Sequence, residues 1–123
     1  MEIDADHHRL VTTLAAFLAE RPEYHTIKTG LGEPPYPEPV NGELPDITAF
    51  RRHQFVIFRA FTEAELDQPA FGAACRAFGR CAAFEHICFH AIVPARCGDE
   101  QGRVVALRRA AELGVRIDNV WEV

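Results

Sequence analysis

Three residues with metal-ligating side chains, His86, Cys88 and His90, occupy alternate positions in one apolar stretch of the chain. On an extended strand, alternate side chains share one face, and imidazole and thiolate groups are zinc ligands. Candidates for a fourth ligand elsewhere in the chain are Cys81, Cys97 and His53. His86 and His90 lie about 13 Å apart on a straight strand, so one tetrahedral ion requires a bend. The alternative is a buried strand in which Cys88 packs as a small apolar side chain.

Two groups of basic residues are further candidates for chemistry, and both have a simple solvated interpretation. Arg51, Arg52 and His53 suit the tip of a β-hairpin, where they are either solvated or in contact with the phosphates of a nucleic acid. His7 and His8 are adjacent, and adjacent residues on a helix diverge by about 100°. We therefore expect His7 and His8 to form a solvated first helical turn and not a pair of ligands.

The composition is typical of a globular protein. The 123 residues suit one domain spanning residues 1–123, with 48% hydrophobic and 25% charged residues. The formal net charge of −5 disfavours a nucleic-acid partner, although it is compatible with a local basic patch. The first six residues lack the basic start and apolar core of a signal peptide, and no apolar run approaches the length of a membrane span. We expect a cytoplasmic protein with reduced cysteines and no membrane association.

Hydrophobic periodicity and turn residues divide the chain into helices and strands. Predicted helices cover residues 7–20, 69–83 and 100–113, and predicted strands cover residues 24–29, 45–50, 55–61, 86–93 and 115–123. A hairpin region followed by strands that alternate with helices predicts an α/β fold. The expected architecture is a mixed β-sheet flanked by helices, in the order αβββαβαβ.

Local residue choices predict where the helices begin and end. Asp6 and Asp99 suit N-cap positions, and Gly114 suits a C-terminal stop. The segment Thr62–Glu65 has the spacing of a capping box, in which the threonine and glutamate side chains bond reciprocally to the backbone.

The predicted helix 69–83 contains residues that require an explanation. Gly72 and Gly79 either weaken this helix or allow a neighbouring segment to approach it closely. Cys75 lies near two arginines, but a reactive thiol requires a depressed pKa, and the simpler interpretation is a structural cysteine.

The order helix-β-β-β-helix-β, with Pro45-Asp46 at the second strand, resembles the restriction-endonuclease-like fold. This fold belongs to the PD-(D/E)xK nuclease superfamily, which includes archaeal Holliday junction resolvases. Residues 42–49 are similar to the strand that carries the metal-binding Asp of the superfamily. Residues 90–94 and 112–122 are similar to parts of the closing β-α-β unit of several small members. As a pattern of elements, the resemblance spans about residues 7–123.

The resemblance implies a catalytic site that is incomplete in this chain. In the superfamily an Asp and a Glu on adjacent strands hold a divalent ion, which polarises the scissile phosphate. A Lys two residues after the Glu lies on the same face of the strand. The resemblance aligns this Glu-x-Lys with Arg59-Ala60-Phe61, and the neighbouring register, residues 58–60, also lacks a carboxylate. The second acid and the lysine are therefore absent.

The residues at these positions suggest an ion pair in place of a metal site. A guanidinium binds a carboxylate strongly and keeps its proton at any workable pH. We therefore expect Asp46 and Arg59 to pair across neighbouring strands, with Arg59 substituting for the cation. Glu20, near the end of the first helix, is the acid that such folds sometimes use to complete a two-acid site. Glu43 and Glu65 are further acids that a divergent site could use.

The sequence therefore favours a catalytically degenerate nuclease-like domain over an active enzyme. We expect an interaction or accessory module linked to DNA metabolism, without a cofactor, whose partner is another protein or a second copy at an exposed edge strand. The first alternative is a divergent nuclease that uses Mg²⁺ or Mn²⁺ at Asp46 and Glu20. The second is a small metal-binding module that holds zinc on the face formed by His86, Cys88 and His90.

Overall fold

A computed structural model describes the backbone of residues 2–123 and the side chains of residues 5–123. The helices are α1 (Glu2–Ala19), α2 (Glu63–Leu66), α3 (Pro69–Cys81) and α4 (Gly102–Leu113). The strands are β1 (Tyr24–Thr29), β2 (Ile47–Arg51), β3 (Gln54–Ala60), β4 (Ile87–Val93), β5 (Arg96–Cys97), β6 (Glu100–Gln101) and β7 (Asn119–Glu122).

Five of the strands form one mixed sheet in the order β1-β2-β3-β4-β7. The pairs β1–β2 and β2–β3 are antiparallel, whereas β3–β4 and β4–β7 are parallel. Parallel neighbours need a crossover connection, which α2 and α3 supply before β4 and α4 supplies before β7. The predicted α/β class, with a mixed sheet flanked by helices, is confirmed. The sequence analysis did not predict the separate two-stranded ribbon of β5 and β6.

Each face of the five-stranded sheet carries its own hydrophobic core. The stripe of α1 that packs on one face consists of Leu10, Val11, Leu14 and Leu18. The helical stripe on the opposite face consists of Phe71, Cys75, Phe78, Ala106 and Ala110. Full burial of one leucine or phenylalanine contributes about 2 kcal/mol, so these two stripes hold the helices on the sheet.

Two predicted helix starts are wrong, and two other local predictions are confirmed. α1 begins at Glu2, so Asp6 lies inside the helix and is not its cap. Gln101 and not Asp99 occupies the N-cap of α4, because residues 100–101 first pair as a strand with β5. The capping box at Thr62 is formed, and Gly114 ends α4 in the left-handed conformation with φ of 67°.

Replacing Thr62 with alanine should lower the free energy of unfolding by about 1 kcal/mol. The substitution removes the hydroxyl oxygen that accepts a hydrogen bond from the Glu65 backbone N–H at 3.2 Å. Urea unfolding monitored by circular dichroism measures this loss. Thr13→Ala, at an exposed position inside α1, is the matched control and should be neutral or slightly stabilising. Equal stability of Thr62→Ala and the wild type would contradict the role of the cap.

Candidate functional site

Asp46 lies where β2 begins, and its carboxylate is bound to the end of β3. Its backbone N–H donates to the carbonyl oxygen of Phe58 at 2.9 Å, which aligns the two strands. The backbone N–H of Ala60 donates to Oδ2 of Asp46 at 2.7 Å. One carboxylate oxygen therefore already accepts a short, charge-assisted hydrogen bond from the protein itself.

His7 of α1 contacts this carboxylate and a second one. Its Nε2 lies 2.9 Å from both oxygens of Asp46, and its Nδ1 lies 2.8 Å from Oε1 of Glu65. Only the protonated imidazole carries a hydrogen on both nitrogens, so donation to both carboxylates requires the imidazolium. The hydrogen bonds to Asp46 and then to Glu65 raise the pKa of His7 from 6.5 to about 9, against the opposing effect of burial. His7 is therefore charged at neutral pH.

Glu65 reaches His7 because the capping box fixes its side chain. Its Oε1 accepts the backbone N–H of Thr62 at 2.9 Å, and the same oxygen faces the imidazole of His7. Burial alone would raise the pKa of Glu65. The hydrogen bonds from His7 and from the Thr62 backbone outweigh that effect, and the pKa lies below its usual value. A local helix cap thus supplies the second anion of the site.

Arg59 is the second cation beside Asp46. Its Nε lies 3.6 Å from Oδ2 of Asp46, which is an ion-pair distance but longer than a hydrogen bond. One terminal nitrogen, Nη1, instead donates to the carbonyl oxygen of Leu44 at 2.8 Å. The Nε atom is buried and has no hydrogen-bond acceptor among the described residues. The expected pairing of Asp46 and Arg59 is thus a single long contact, and His7 makes the short contacts.

The residues of this group, His7, Asp46, Arg59 and Glu65, are called the Asp46 cluster below. They do not fit a divalent metal ion such as Mg²⁺ or Mn²⁺, which prefers several oxygen ligands. The imidazole of His7 lies between the two carboxylates, and the backbone N–H of Ala60 and the guanidinium of Arg59 face Oδ2 of Asp46. Two positive side chains therefore occupy the space around the acid that would serve as the first ligand.

Glu20 and Glu43 are the other acids proposed for a divergent site. Glu20 is exposed just beyond the C-terminal end of α1. It follows His7 by 13 positions, so about 20 Å of helix separates the two. Glu20 is therefore too far from His7 and its neighbours to complete a two-acid site with Asp46, as the divergent-nuclease alternative requires. The backbone of Glu43 pairs with Val40 around a turn at residues 41–42.

The zinc candidates on β4 do not converge. His86 precedes the strand and is exposed, Cys88 is half-buried, and His90 is buried. The indole N–H of Trp121 donates to Nδ1 of His90 at 3.1 Å, and burial lowers the pKa of His90 to about 4. No group of three or more His, Cys, Asp or Glu side chains among residues 5–123 is arranged to hold a metal ion. The structural interpretation of this strand fits these contacts.

The basic cluster at Arg51, Arg52 and His53 lies at the tip of the β2–β3 hairpin, as expected. Arg51 donates from Nη2 to the side-chain oxygen of Gln54 at 2.9 Å and also contacts the hydroxyl of Tyr24. Arg52 and His53 are exposed, and Arg52 has a positive φ of 57°, as the tight two-residue turn requires. These side chains lie in solvent, at a hairpin tip where a partner could reach them.

His7 is the functional residue that the sequence analysis missed. We expected a solvated side chain because we placed the helix start at residue 7. Since α1 begins at Glu2, His7 extends the stripe that continues through Leu10, Val11 and Leu14, at helical spacing. That spacing was the available signal, because a histidine in phase with a buried stripe must face the sheet.

Comparison with known proteins does not assign this chain to a group. No protein-family model, curated protein or solved structure matches it at a significant level. Among the residues that the structure describes, no helix combines the length and the apolar character needed to cross a membrane. The Asp46 cluster and its chemistry are therefore the basis for proposing a function.

Proposed function

We propose that this chain is a catalytically degenerate domain of restriction-endonuclease-like type, which acts as an interaction or accessory module linked to DNA metabolism. The observation that carries the proposal is the arrangement of donors around Asp46. Both carboxylate oxygens face Nε2 of the protonated His7 at 2.9 Å, and Oδ2 also accepts the Ala60 N–H. The carboxylate has a structural role, because it joins α1, β2 and β3.

In this proposal two side-chain cations replace the divalent ion of an active nuclease. Arg59 occupies the position at which the resemblance places the second acid, and a guanidinium is neither a metal ligand nor a base. His7 has a pKa raised to about 9, so it is a poor general base near neutral pH. The cluster is thus suited to stabilising the fold and unsuited to activating a water molecule for hydrolysis.

The partner in this proposal is a protein or a second copy of the chain. The net charge of −5 disfavours binding of the whole surface to a polyanion. Strands β1 and β7 are the two edges of the five-stranded sheet, and edge strands present unpaired backbone groups that pair with other chains. Sedimentation velocity over a range of protein concentrations tests self-association at these edges.

A plasmid-nicking assay tests the loss of catalysis. Supercoiled DNA incubated with the purified protein and Mg²⁺ or Mn²⁺ should be nicked no faster than with Asp46→Asn, which keeps the size of the side chain but removes its charge. His8→Asn, at an exposed position of α1 next to the cluster, is the matched control for any trace contaminant. Metal-dependent nicking by the wild type that is lost in Asp46→Asn would overturn the proposal and favour a divergent nuclease.

A further inference from the structure

A cleft between α3 and the segment that joins α4 to β7 carries three arginines. The lining residues are Cys75, Arg76, Gly79, Arg80, Gly114, Val115 and Arg116, around a cavity of about 270 Å³. No acidic side chain is among them. Three of the seven lining residues are arginines, in a chain whose Asp and Glu residues outnumber its Lys and Arg residues 18 to 13. The cleft shares no residue with the Asp46 cluster, so its role is separate from the proposed loss of catalysis.

The arginines of the cleft have unused hydrogen-bond donors. Arg76 and Arg80 are exposed, and among the described residues neither makes an ion pair or a side-chain hydrogen bond. Arg116 uses only Nε, which donates to Oδ1 of Asp118 at 2.7 Å. The other oxygen of Asp118 accepts the Phe89 backbone N–H at 2.8 Å, so this acid is already engaged.

The fold brings these charges together at a cost. Like charges four residues apart on a helix, as in Arg76 and Arg80, destabilise it by a few tenths of a kcal/mol. The position of Arg80 in the last turn of α3 complements the helix dipole, but this effect fades within one turn and does not account for Arg76. A bound anion would account for all three charges.

Two glycines of α3 shape the cleft. A Cβ added at Gly72 would lie 3.3 Å from Nη1 of Arg76 and from Cδ1 of Leu113, so the missing side chain leaves room for the guanidinium against α4. A Cβ at Gly79 would lie 3.4 Å from the carbonyl oxygen of Arg116. Glycine inside a helix costs about 1 kcal/mol relative to alanine, and here Gly72 leaves room for the Arg76 side chain while Gly79 allows the backbone of Arg116 to lie close to α3.

The chemistry of the cleft selects its ligand. Guanidinium groups bind tetrahedral phosphate oxygens in a bidentate manner, and three of them match a doubly charged group better than a single carboxylate. The side chain of Cys75 is buried in the core, and burial raises the pKa of its thiol to about 12, so it stays neutral and places no negative charge beside the cleft. We infer that this cleft binds a phosphate dianion, either inorganic phosphate or a phosphomonoester, through Arg76, Arg80 and Arg116.

Calorimetric titration at constant ionic strength tests the inference, with inorganic phosphate and phenyl phosphate as separate ligands. We expect binding to the wild type, and a loss of about tenfold or more in the Arg76→Gln, Arg80→Gln double variant. If both ligands bind, the cleft recognises the phosphate group itself. If only one binds, the natural ligand is inorganic phosphate or a phosphomonoester, according to which of the two binds. The absence of binding for both ligands would overturn the inference.

A charge-matched control separates the cleft from the general surface charge. Arg9→Gln combined with Arg21→Gln removes the same number of exposed arginines away from the cleft and should leave phosphate affinity unchanged. Phosphate should also shift the Nε–H NMR signals of Arg76, Arg80 and Arg116 but not that of Arg9. An equal loss of affinity in both double variants, or equal shifts at all arginines, would show that phosphate binds only through bulk charge.

Discussion

The free energy of unfolding should fall by about 3 kcal/mol as the pH rises from 6.5 to above 9, because His7 loses its proton in the folded protein. The pKa of His7 is about 9 in the folded protein, against an ordinary histidine pKa of 6.5. A group whose pKa is raised by folding stabilises the folded state fully at pH values below its unfolded pKa. This stabilisation is lost as the pH rises through the pKa of the folded state. The alkaline decline is therefore the signature of the contacts of His7 with Asp46 and Glu65.

At pH values below 6.5, His90 makes the free energy of unfolding fall as the pH falls. Its pKa is lowered to about 4 by burial, so the unfolded chain takes up a proton between pH 6.5 and 4 and the folded protein does not. Stability should therefore also decline on acidification through this interval. The two histidines together predict maximal stability near pH 6.5.

Urea unfolding at a series of pH values measures both limbs of this curve. His7→Asn should flatten the alkaline limb and keep the acid limb, since Asn cannot supply a proton that titrates. His8→Asn, at the next and exposed position, is the matched control and should reproduce the wild-type curve. Buried cysteines also titrate at alkaline pH, and the difference between wild type and His7→Asn removes their effect. Identical alkaline limbs in these two proteins would rule out the proposed charge on His7.

Gly102→Ala should destabilise the protein by about 3 kcal/mol or more, because the added methyl group has no space. Its Cβ would overlap the carbonyl oxygen of Pro94 and lie 3.0 Å from Cγ2 of Val93. The backbone cannot shift freely, because the N–H of Gly102 donates to the carbonyl oxygen of Ala95. The N–H of Ala95 in turn donates to the carbonyl oxygen of Val123. A backbone hydrogen bond thus holds the start of α4 against residue 95, just beyond β4. Thermal unfolding by calorimetry measures the effect of the substitution.

A matched glycine substitution separates steric overlap from the general effect of alanine. At Gly30 a Cβ would lie 3.9 Å from the carbonyl oxygen of Asp46, which is an ordinary contact. Gly30→Ala should therefore change the free energy of unfolding by less than about 0.5 kcal/mol. A similar small effect for Gly102→Ala would mean that residues 94–95 and α4 can separate without loss.

Local signals in the sequence predicted the features that short segments determine. The capping box at Thr62 and the helix stop at Gly114 depend on a few neighbouring residues, and both are found. The start of α1 and the cap of α4 were mispredicted. α4 begins later than predicted because Glu100 pairs with Cys97 in a short strand, and local propensity does not indicate this pairing.

The candidate site was predictable in part. The Pro45-Asp46 dipeptide drew attention to the carboxylate, and Nε of the expected partner Arg59 lies 3.6 Å from it. His7 and Glu65 are 58 positions apart in the chain, and only the tertiary fold brings them together. A pattern read along one chain cannot specify such a contact, although the helical phase of His7 indicated that its side chain faces inward.

The most direct test of the central claim is an NMR titration of the His7 imidazole, assigned by comparison with His7→Asn and repeated in the presence of Mn²⁺. If His7 and Arg59 stand in place of a divalent ion at Asp46, His7 titrates near pH 9 and its signals are not broadened by the paramagnetic metal. A pKa near 6.5, or selective broadening of the His7 signals by Mn²⁺, would contradict the account.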